Sequence, residues 1–237
     1  MAPPVSPWLR RRLGADRVLA VLAGMVVAPV VAVLAALIRR ADGGPGLITV
    51  PRVGRGGEVF AMWKLRSMRV SHDDGSTDGL RLTRAGDDRI TPIGRVVRGL
   101  HLDELPQLWN VARGEMSLLG PRPETPEFVD LDDPAWQAVL VVPPGIAGPT
   151  QLVVGDWEGA VIAEDTEGVA YRDRVLPVKL AVDRWYVQEA SPGLDLEVLW
   201  TLVRDVLPGP RAVGLRVRVW ASVPAVAKLS GRGARPD

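Results

Sequence analysis

Residues Val18 to Ile38, VLAVLAGMVVAPVVAVLAALI, form an apolar run of 21 positions without a charge. As a straight helix this run extends about 30 Å, the thickness of one bilayer core. It exceeds the apolar region of a cleavable signal peptide, about 7–15 residues, and Arg39-Arg40 follows where small residues are required. Arg10, Arg11, Arg12 and Arg17 precede the run, and Arg39 and Arg40 follow it. Positive charge prefers the cytoplasmic side, so a simple span leaves one cluster on the wrong side. Pro29 stands at the midpoint, where it removes a backbone donor and bends the helix. The pattern therefore favours a re-entrant helix, kinked at Pro29 and returning to its own face, over a full span. Protein or local hydrogen bonds must shelter the kink, because lipid offers none.

Beyond residue 40 the pattern shortens. GGPGLITVPRVGRGGEVFAMWKLRSM (43–68) holds two β-rich runs separated by Gly54 to Gly57, the pattern of a hairpin. Alternation sets Phe60, Met62, Lys64 and Arg66 on one side of the second run. SHDDGSTDG (71–79) is polar and glycine-containing, which predicts a mobile loop. Asp88 to Gly114 opens with a turn and is mainly helical, with Gly114 ending a helix that starts near Asp103. GPRPETP, within 116–126, predicts an extended, proline-stiffened loop; Asp132 to Leu140 a short helix; and PPGIAG (143–148) a turn. Val169 to Ala190 and Leu194 to Leu207 pattern as amphipathic helices split by Ser191-Pro192-Gly193.

After Pro210 the chain carries Arg211, Arg216, Arg218, Lys228, Arg232 and Arg235 against only Asp237, with Val213, Leu215, Val217, Val219 and Trp220 interleaved. Such a tail either lies on an anionic membrane surface or is disordered. The reading is a helix-dominated α+β fold in three parts. Residues 1–40 form the membrane-associated helix, 41–210 a compact catalytic domain with a small β-hairpin, and 211–237 the basic tail.

Composition excludes more than it assigns. The net charge of +1, from 29 basic and 28 acidic residues, points to no polyanionic partner, and with the apolar run it argues against nucleic-acid binding. There is no cysteine, which removes disulfides and thiolate metal sites, and two histidines are too few for a typical zinc site.

The candidate chemistry starts at Asp103 and Glu104, side by side between Leu102 and Leu105 and ahead of Pro106. One account makes Asp103 an N-cap and Glu104 a first-turn acid. The other is chemical. Free N–H groups at a helix start attract phosphate, and a carboxylate kept ionised there can attack phosphorus to give an acyl phosphate. Its neighbour, about 100° around the helix, can hold Mg²⁺. Cations suited to phosphate accompany the pair. Lys64 and Arg66 share a strand face, and Arg122, between Pro121 and Pro123, presents a guanidinium from a stiff backbone.

The order KLRSM (64–68), DDRITPIGR (87–95), LDELPQLWNVARGEMSLLGPRPE (102–124), PGIAG (144–148) and DLEVLWTLVRDVL (195–207) resembles the bacterial sugar transferases, the monotopic polyprenyl-phosphate sugar-1-phosphate transferases. The resemblance runs from the apolar helix to about Leu207. It implies a re-entrant membrane helix and an active site on the cytoplasmic face of the inner membrane. Asp103 is then the nucleophile, Glu104 helps bind Mg²⁺, and Lys64, Arg66 and Arg122 bind substrate phosphate. Asp183 matches a late acidic residue that supports the site. The implied partners are a nucleotide diphosphate sugar, of UDP type, and a membrane polyprenyl phosphate; the product starts a lipid-linked surface glycan. Two positions depart from the family: Ala28-Pro29 replaces a common Ser-Pro, and PGIAG replaces PGITG. The alternative is a non-catalytic membrane adaptor, in which the acids cap a helix and the cations hold lipid head groups.

Overall fold

A computed structural model of the chain describes residues 5–69, 88–164, 168–207 and 212–229. The polar stretch 71–79 and the far ends of the tail lie outside these residues.

Helix α1 runs Pro7–Asp42 as one element, continuous through Pro29. Its start is fixed by chemistry at both sides of the junction. Ser6 accepts from the Trp8 N–H, Pro7 supplies a preset φ where no donor is needed, and the Ser6 hydroxyl donates to the Ala190 carbonyl at 2.5 Å. Gly43, at φ 76°, ends the helix in the left-handed conformation. The apolar run lies within α1, which is long and apolar enough to cross a membrane by length and composition, and Val18, Leu22, Met25, Val26 and Val33 are exposed on it.

The predicted hairpin is present. β1 (Leu47–Val53) pairs antiparallel with β2 (Val59–Leu65), from Leu47 opposite Leu65 to Val53 opposite Val59. The turn uses Gly56 and Gly57 at positive φ. Next come α2 (Pro92–Gly99), capped by Thr91, a 3₁₀ turn at Leu102–Glu104, and α3 (Gln107–Arg113), closed by Gly114 at φ 83°. β3 (Ser117–Leu119) follows, then α4 (Pro134–Val139), capped by Asp133.

PPGIAG is not a simple turn. Gly145–Ala147 forms β4, parallel to β3, with Ser117 opposite Gly145. The glycines permit the approach, since a Cβ on Gly145 would come within 2.1 Å of the Gly120 nitrogen. Helices α5 (Pro149–Glu164), α6 (Leu176–Glu189) and α7 (Pro192–Val206) complete the main body, with a π-helical turn at Tyr171–Val175 leading into α6.

The tail departs from expectation as far as residue 229. α8 (Gly214–Ser222) and α9 (Pro224–Ala227) set Leu215, Val219, Val223 and Val226 into the principal core, beside Val182, Tyr186 and Val198. Leu215 and Val219 lie one turn apart on α8, Val223 is the extended residue between the helices and Val226 lies on α9; burying the four outweighs the solvation of the interleaved arginines.

α1 touches the globular body at both ends of its apolar run. Leu9 joins the principal core, Ala20 packs with Val50, Met62, Val111 and Met116, and Ile38 packs with Leu65 and Val97. Arg12, read above as part of a flanking positive cluster, is buried. It donates to Asp195, to the Leu119 carbonyl and, at 2.9 Å, to the Tyr186 hydroxyl.

Candidate active site

Asp103 and Glu104 are delivered by a tight local geometry. His101 sits at φ 55°, ψ 21°, an uncommon conformation for a residue with a Cβ, and swings the chain into the 3₁₀ turn. Pro106 then starts α3, and neither the turn nor α3 has a side-chain cap. Asp103 is therefore not an N-cap, and both acids lie in the first turn of the 3₁₀ element. Both side chains are buried, Asp103 at 6% exposure and Glu104 at 9%. Burial of two adjacent carboxylates carries a large desolvation cost unless cations meet them.

The cations are there. Lys64 Nζ lies 3.5 Å from Asp103 Oδ2 and 3.9 Å from Glu104 Oε1. Arg122 Nη2 donates to Glu104 Oε1 at 2.6 Å, while its Nη1 donates to Gln151 Oε1 at 2.9 Å. Asn110 fixes the relative position of the strand and the dyad. It accepts from the Trp63 N–H at 3.0 Å and donates to the Ala61 carbonyl at 2.8 Å, clipping α3 to β2 beside Lys64.

Electrostatics follow from this packing. Burial disfavours the Glu104 carboxylate, but Arg122 and Lys64 outweigh it and draw its pKa down to about 2. The Arg122 guanidinium is held above its ordinary range, chiefly by Glu104. Burial lowers the Lys64 ammonium, against the opposing pull of Glu104 and Asp103. Glu104 and Arg122 thus form a permanently charged pair.

The two acids open into different spaces. Asp103 lines a polar cleft of 310 Å³ with Lys64, Ser67, Arg98 and Arg122. Glu104 lines a second cavity, 330 Å³, with His101, Gln151, Asp156 and Arg216. Arg122 borders both, so its ion pair with Glu104 is the partition between them. The far end of the Asp103 cleft is walled by a second network. Lys179 Nζ donates to the Tyr171 hydroxyl at 2.6 Å, to Glu124 at 3.1 Å and to Glu158 at 3.2 Å, and the Tyr171 hydroxyl donates to Glu124 at 2.5 Å. Tyr171 opens the π-helical turn, a rare conformation that recurs at functional sites.

The structure brings Lys64, Asp103, Glu104 and Arg122 together. Arg66 lies past the end of β2 and turns away from the cleft, donating to the Pro45 carbonyl at 2.6 Å and the Met68 carbonyl at 3.3 Å. Strand alternation stops at Leu65, which is why the shared-face reading of Lys64 and Arg66 does not carry to this position. Arg98 occupies the cleft beside Lys64, donating to Ser67 Oγ at 2.6 Å. Asp183 is buried on α6, accepts from the Thr150 hydroxyl at 2.5 Å and lies one turn beyond Lys179, away from the cleft lining. Burial raises its carboxyl to about 7.

Sequence reasoning missed Arg98, Glu124, Glu158, Tyr171 and Lys179. Glu124, directly after the proline-arginine-proline motif, was the one with a usable signal.

Mg²⁺ fits the donor set in a limited way. Among the described residues no cluster of three or more acidic or histidine side chains can hold a metal ion alone. Two adjacent carboxylates, one held ionised, do suit an ion that keeps one or two protein ligands and takes the rest from phosphate and water.

The bacterial sugar transferase family matches residues 8–209 of the chain. Three similar proteins carry specific names. The UDP-N-acetylgalactosamine-undecaprenyl-phosphate N-acetylgalactosaminephosphotransferase of Aeromonas hydrophila is 35% identical over 87% of this chain and 45% of its own length. The undecaprenyl-phosphate glucose phosphotransferase of Komagataeibacter xylinus is 33% identical over 86% of this chain and 37% of its own. The UDP-glucose:undecaprenyl-phosphate glucose-1-phosphate transferase of Caulobacter vibrioides is 33% identical over 86% and 72%. The chain thus spans less than half the length of the first two relatives.

Proposed function

The chain belongs to the bacterial sugar transferase family, and we propose that it transfers a sugar 1-phosphate from a UDP-sugar to a polyprenyl phosphate through a phosphosugar carried on Asp103. The observation that carries this reading is the charge arrangement around the dyad. One buried carboxylate is committed to Arg122, while its neighbour opens into a polar cleft lined by Lys64 and Arg98.

In the first step an Asp103 carboxylate oxygen bonds to the sugar-proximal phosphorus of the donor. The bond from that phosphorus to the bridging oxygen breaks, and the nucleoside monophosphate leaves with the electron pair. Lys64 and Arg98 offset the charge that builds on the phosphate oxygens. In the second step a polyprenyl phosphate oxygen attacks the same phosphorus and the bond to Asp103 breaks, returning the carboxylate. Glu104 would help hold Mg²⁺, which would supply Lewis-acid neutralisation of the diphosphate. Arg122 keeps Glu104 ionised and fixed whether or not substrate is bound.

The acceptor is confined to the bilayer, so the dyad must stand at its surface. α1 suits that requirement. Arg12, ahead of the apolar run, and Ile38, at its end, both contact the one globular body. A body resting on one face of the membrane keeps both ends on that face. This supports re-entrant insertion with the site on the cytoplasmic side of the inner membrane. Cysteine introduced near residues 5 and 45 of this cysteine-free chain should label from one side only; labelling from opposite sides would refute the topology.

The chemical test is mass spectrometry of protein mixed with a panel of UDP-sugars. A phosphosugar adduct on Asp103 is expected with one or more donors. Turnover in the presence of polyprenyl phosphate with no adduct at residue 103, or an active Asp103→Asn enzyme, would refute the covalent route.

A further inference from the structure

At the far end of the Asp103 cleft two oppositely charged groups face the same space without pairing. Arg52 comes from β1, and Glu127 from a 3₁₀ turn, Pro126–Phe128, that follows the proline-arginine-proline motif. The Val53 N–H donates to the Glu124 carbonyl at 2.9 Å, which docks that segment along β1. Among the described residues Arg52 makes no ion pair, and its half-buried guanidinium donates only to the adjacent Pro51 carbonyl, at 3.0 Å. Glu127 has no side-chain partner among the same residues. Burial draws the Arg52 guanidinium below its ordinary range; Glu124 and, more weakly, Glu127 oppose this without closing a salt bridge. Each other cation lining the cleft is engaged: Lys64 with Asp103, Arg98 with Ser67, Arg122 with Glu104 and Lys179 with Glu124.

Position along the sheet decides what kind of ligand reaches this pair from the dyad. Arg52 stands opposite Phe60 in the hairpin, and Lys64 lies four residues beyond Phe60. At about 3.3 Å per residue the separation is ~13 Å. That exceeds one sugar ring and suits a nucleoside monophosphate extending away from the dyad. Phe128, half-buried, lines the same end and offers it an aromatic surface.

From this juxtaposition we propose that Arg52 and Glu127 read the base of the leaving nucleotide: Arg52 donates to a uracil carbonyl oxygen, Glu127 accepts the adjoining ring N–H, and Phe128 packs against the ring. The inference rests on the function proposed above and adds what selects the donor's nucleotide. An acidic sugar at this end would meet Glu127 as well as Arg52, and its charge would gain little. A neutral edge with an acceptor beside a donor satisfies both groups. Uracil has that edge. Cytosine carries a lone pair where uracil carries the N–H, which leaves Glu127 facing an acceptor, and adenine brings a second fused ring into a cleft of 310 Å³.

The test is isothermal titration of the full chain in lipid nanodiscs, with Mg²⁺ present, against UMP, CMP, AMP and ribose 5-phosphate. UMP should bind at least about tenfold tighter than CMP or AMP, the worth of one hydrogen bond to a charged group. Arg52→Gln should weaken UMP about tenfold and leave ribose 5-phosphate unchanged. Glu127→Gln, whose amide can donate or accept, should bring UMP and CMP within about threefold of each other. Glu127 is exposed, so its substitution spares the fold and decides alone if Arg52→Gln lowers the thermal midpoint. Mononucleotide binding does not need the covalent step. Base discrimination without an Asp103 adduct would sink the mechanism and keep this site, and an adduct formed with indifference to the base would do the reverse. Equal affinity of the wild type for UMP and CMP, an equal loss of ribose 5-phosphate in Arg52→Gln, or an unchanged UMP to CMP ratio in Glu127→Gln overturns the assignment.

Discussion

A buried arginine, Arg12, and a half-buried one, Arg122, each hold a carboxylate in this molecule, and they serve opposite ends. Arg12 bonds Asp195, Tyr186 and the Leu119 carbonyl, while Trp8 donates to the same Asp195 at 2.7 Å. Asp195 also accepts from the Tyr186 hydroxyl at 2.5 Å, and neither the Asp103 cleft nor the cavity beside Glu104 reaches this cluster. Arg122 is equally committed to Glu104 but stands between two cavities, and an adjacent carboxylate and lysine face open space. Ion pairing does not distinguish the two, and both carboxylates are buried. What distinguishes them is adjoining volume with ionic groups facing into it, because a group that must meet a substrate cannot have every valence filled by protein.

Substitutions can break that comparison. The largest effect should come from Asp103→Asn, which removes the proposed nucleophile at nearly constant volume. Turnover should fall on the order of 10⁴-fold or more while the thermal midpoint holds; a loss of both together would make Asp103 structural. Arg12→Met should do the reverse. Leaving Asp195 buried without its cation costs about 3–5 kcal/mol, read as a fall of roughly 10 °C in unfolding midpoint, with turnover per folded molecule preserved. Arg122→Lys should lose about 10–100-fold in activity, since a single ammonium cannot reach Glu104 and Gln151 together. Glu104→Gln should raise the Mg²⁺ concentration needed for half-maximal rate about tenfold; an unchanged requirement would remove Glu104 from the metal site.

The smallest effect concerns Asp183, whose carboxyl is raised from 3.8 to about 7 by burial. Between these values the folded chain retains a proton that the unfolded chain has released. This group's contribution to stability therefore declines as pH rises through that window. Asp183→Asn should flatten the dependence, gaining on the order of 2 kcal/mol relative to wild type between pH 5 and pH 8. Parallel unfolding curves for the two proteins would mean the acid is ionised throughout.

What the sequence revealed was mostly local. The apolar length of α1, the Gly-rich hairpin turn, Gly114 at its helix end and the paired acids ahead of Pro106 are all encoded within a few residues. Lys64 and Arg122 were readable because motif and charge coincided there. Arg98, Tyr171 and Lys179 were not, since each becomes meaningful only when segments far apart converge on one cleft. Arg12 misled for the same reason: a basic flank and a buried anchor look identical until Asp195, 183 positions later, is placed beside it. β4 was hidden because three residues pair with a strand far upstream, and close approach of glycines leaves no hydrophobic signature. The apolar positions of α8 were visible, but its arginines suggested a membrane surface rather than the core it enters.

The span between Arg12 and Asp195 also imposes an order on biogenesis. On the ribosome, α1 emerges long before α7. The Arg12 guanidinium then waits, without its carboxylate, until α7 has been synthesised. Seating of α1 against the globular body thus waits for α7, and a nascent chain released before residue 195 would carry α1 without the carboxylate that clasps Arg12.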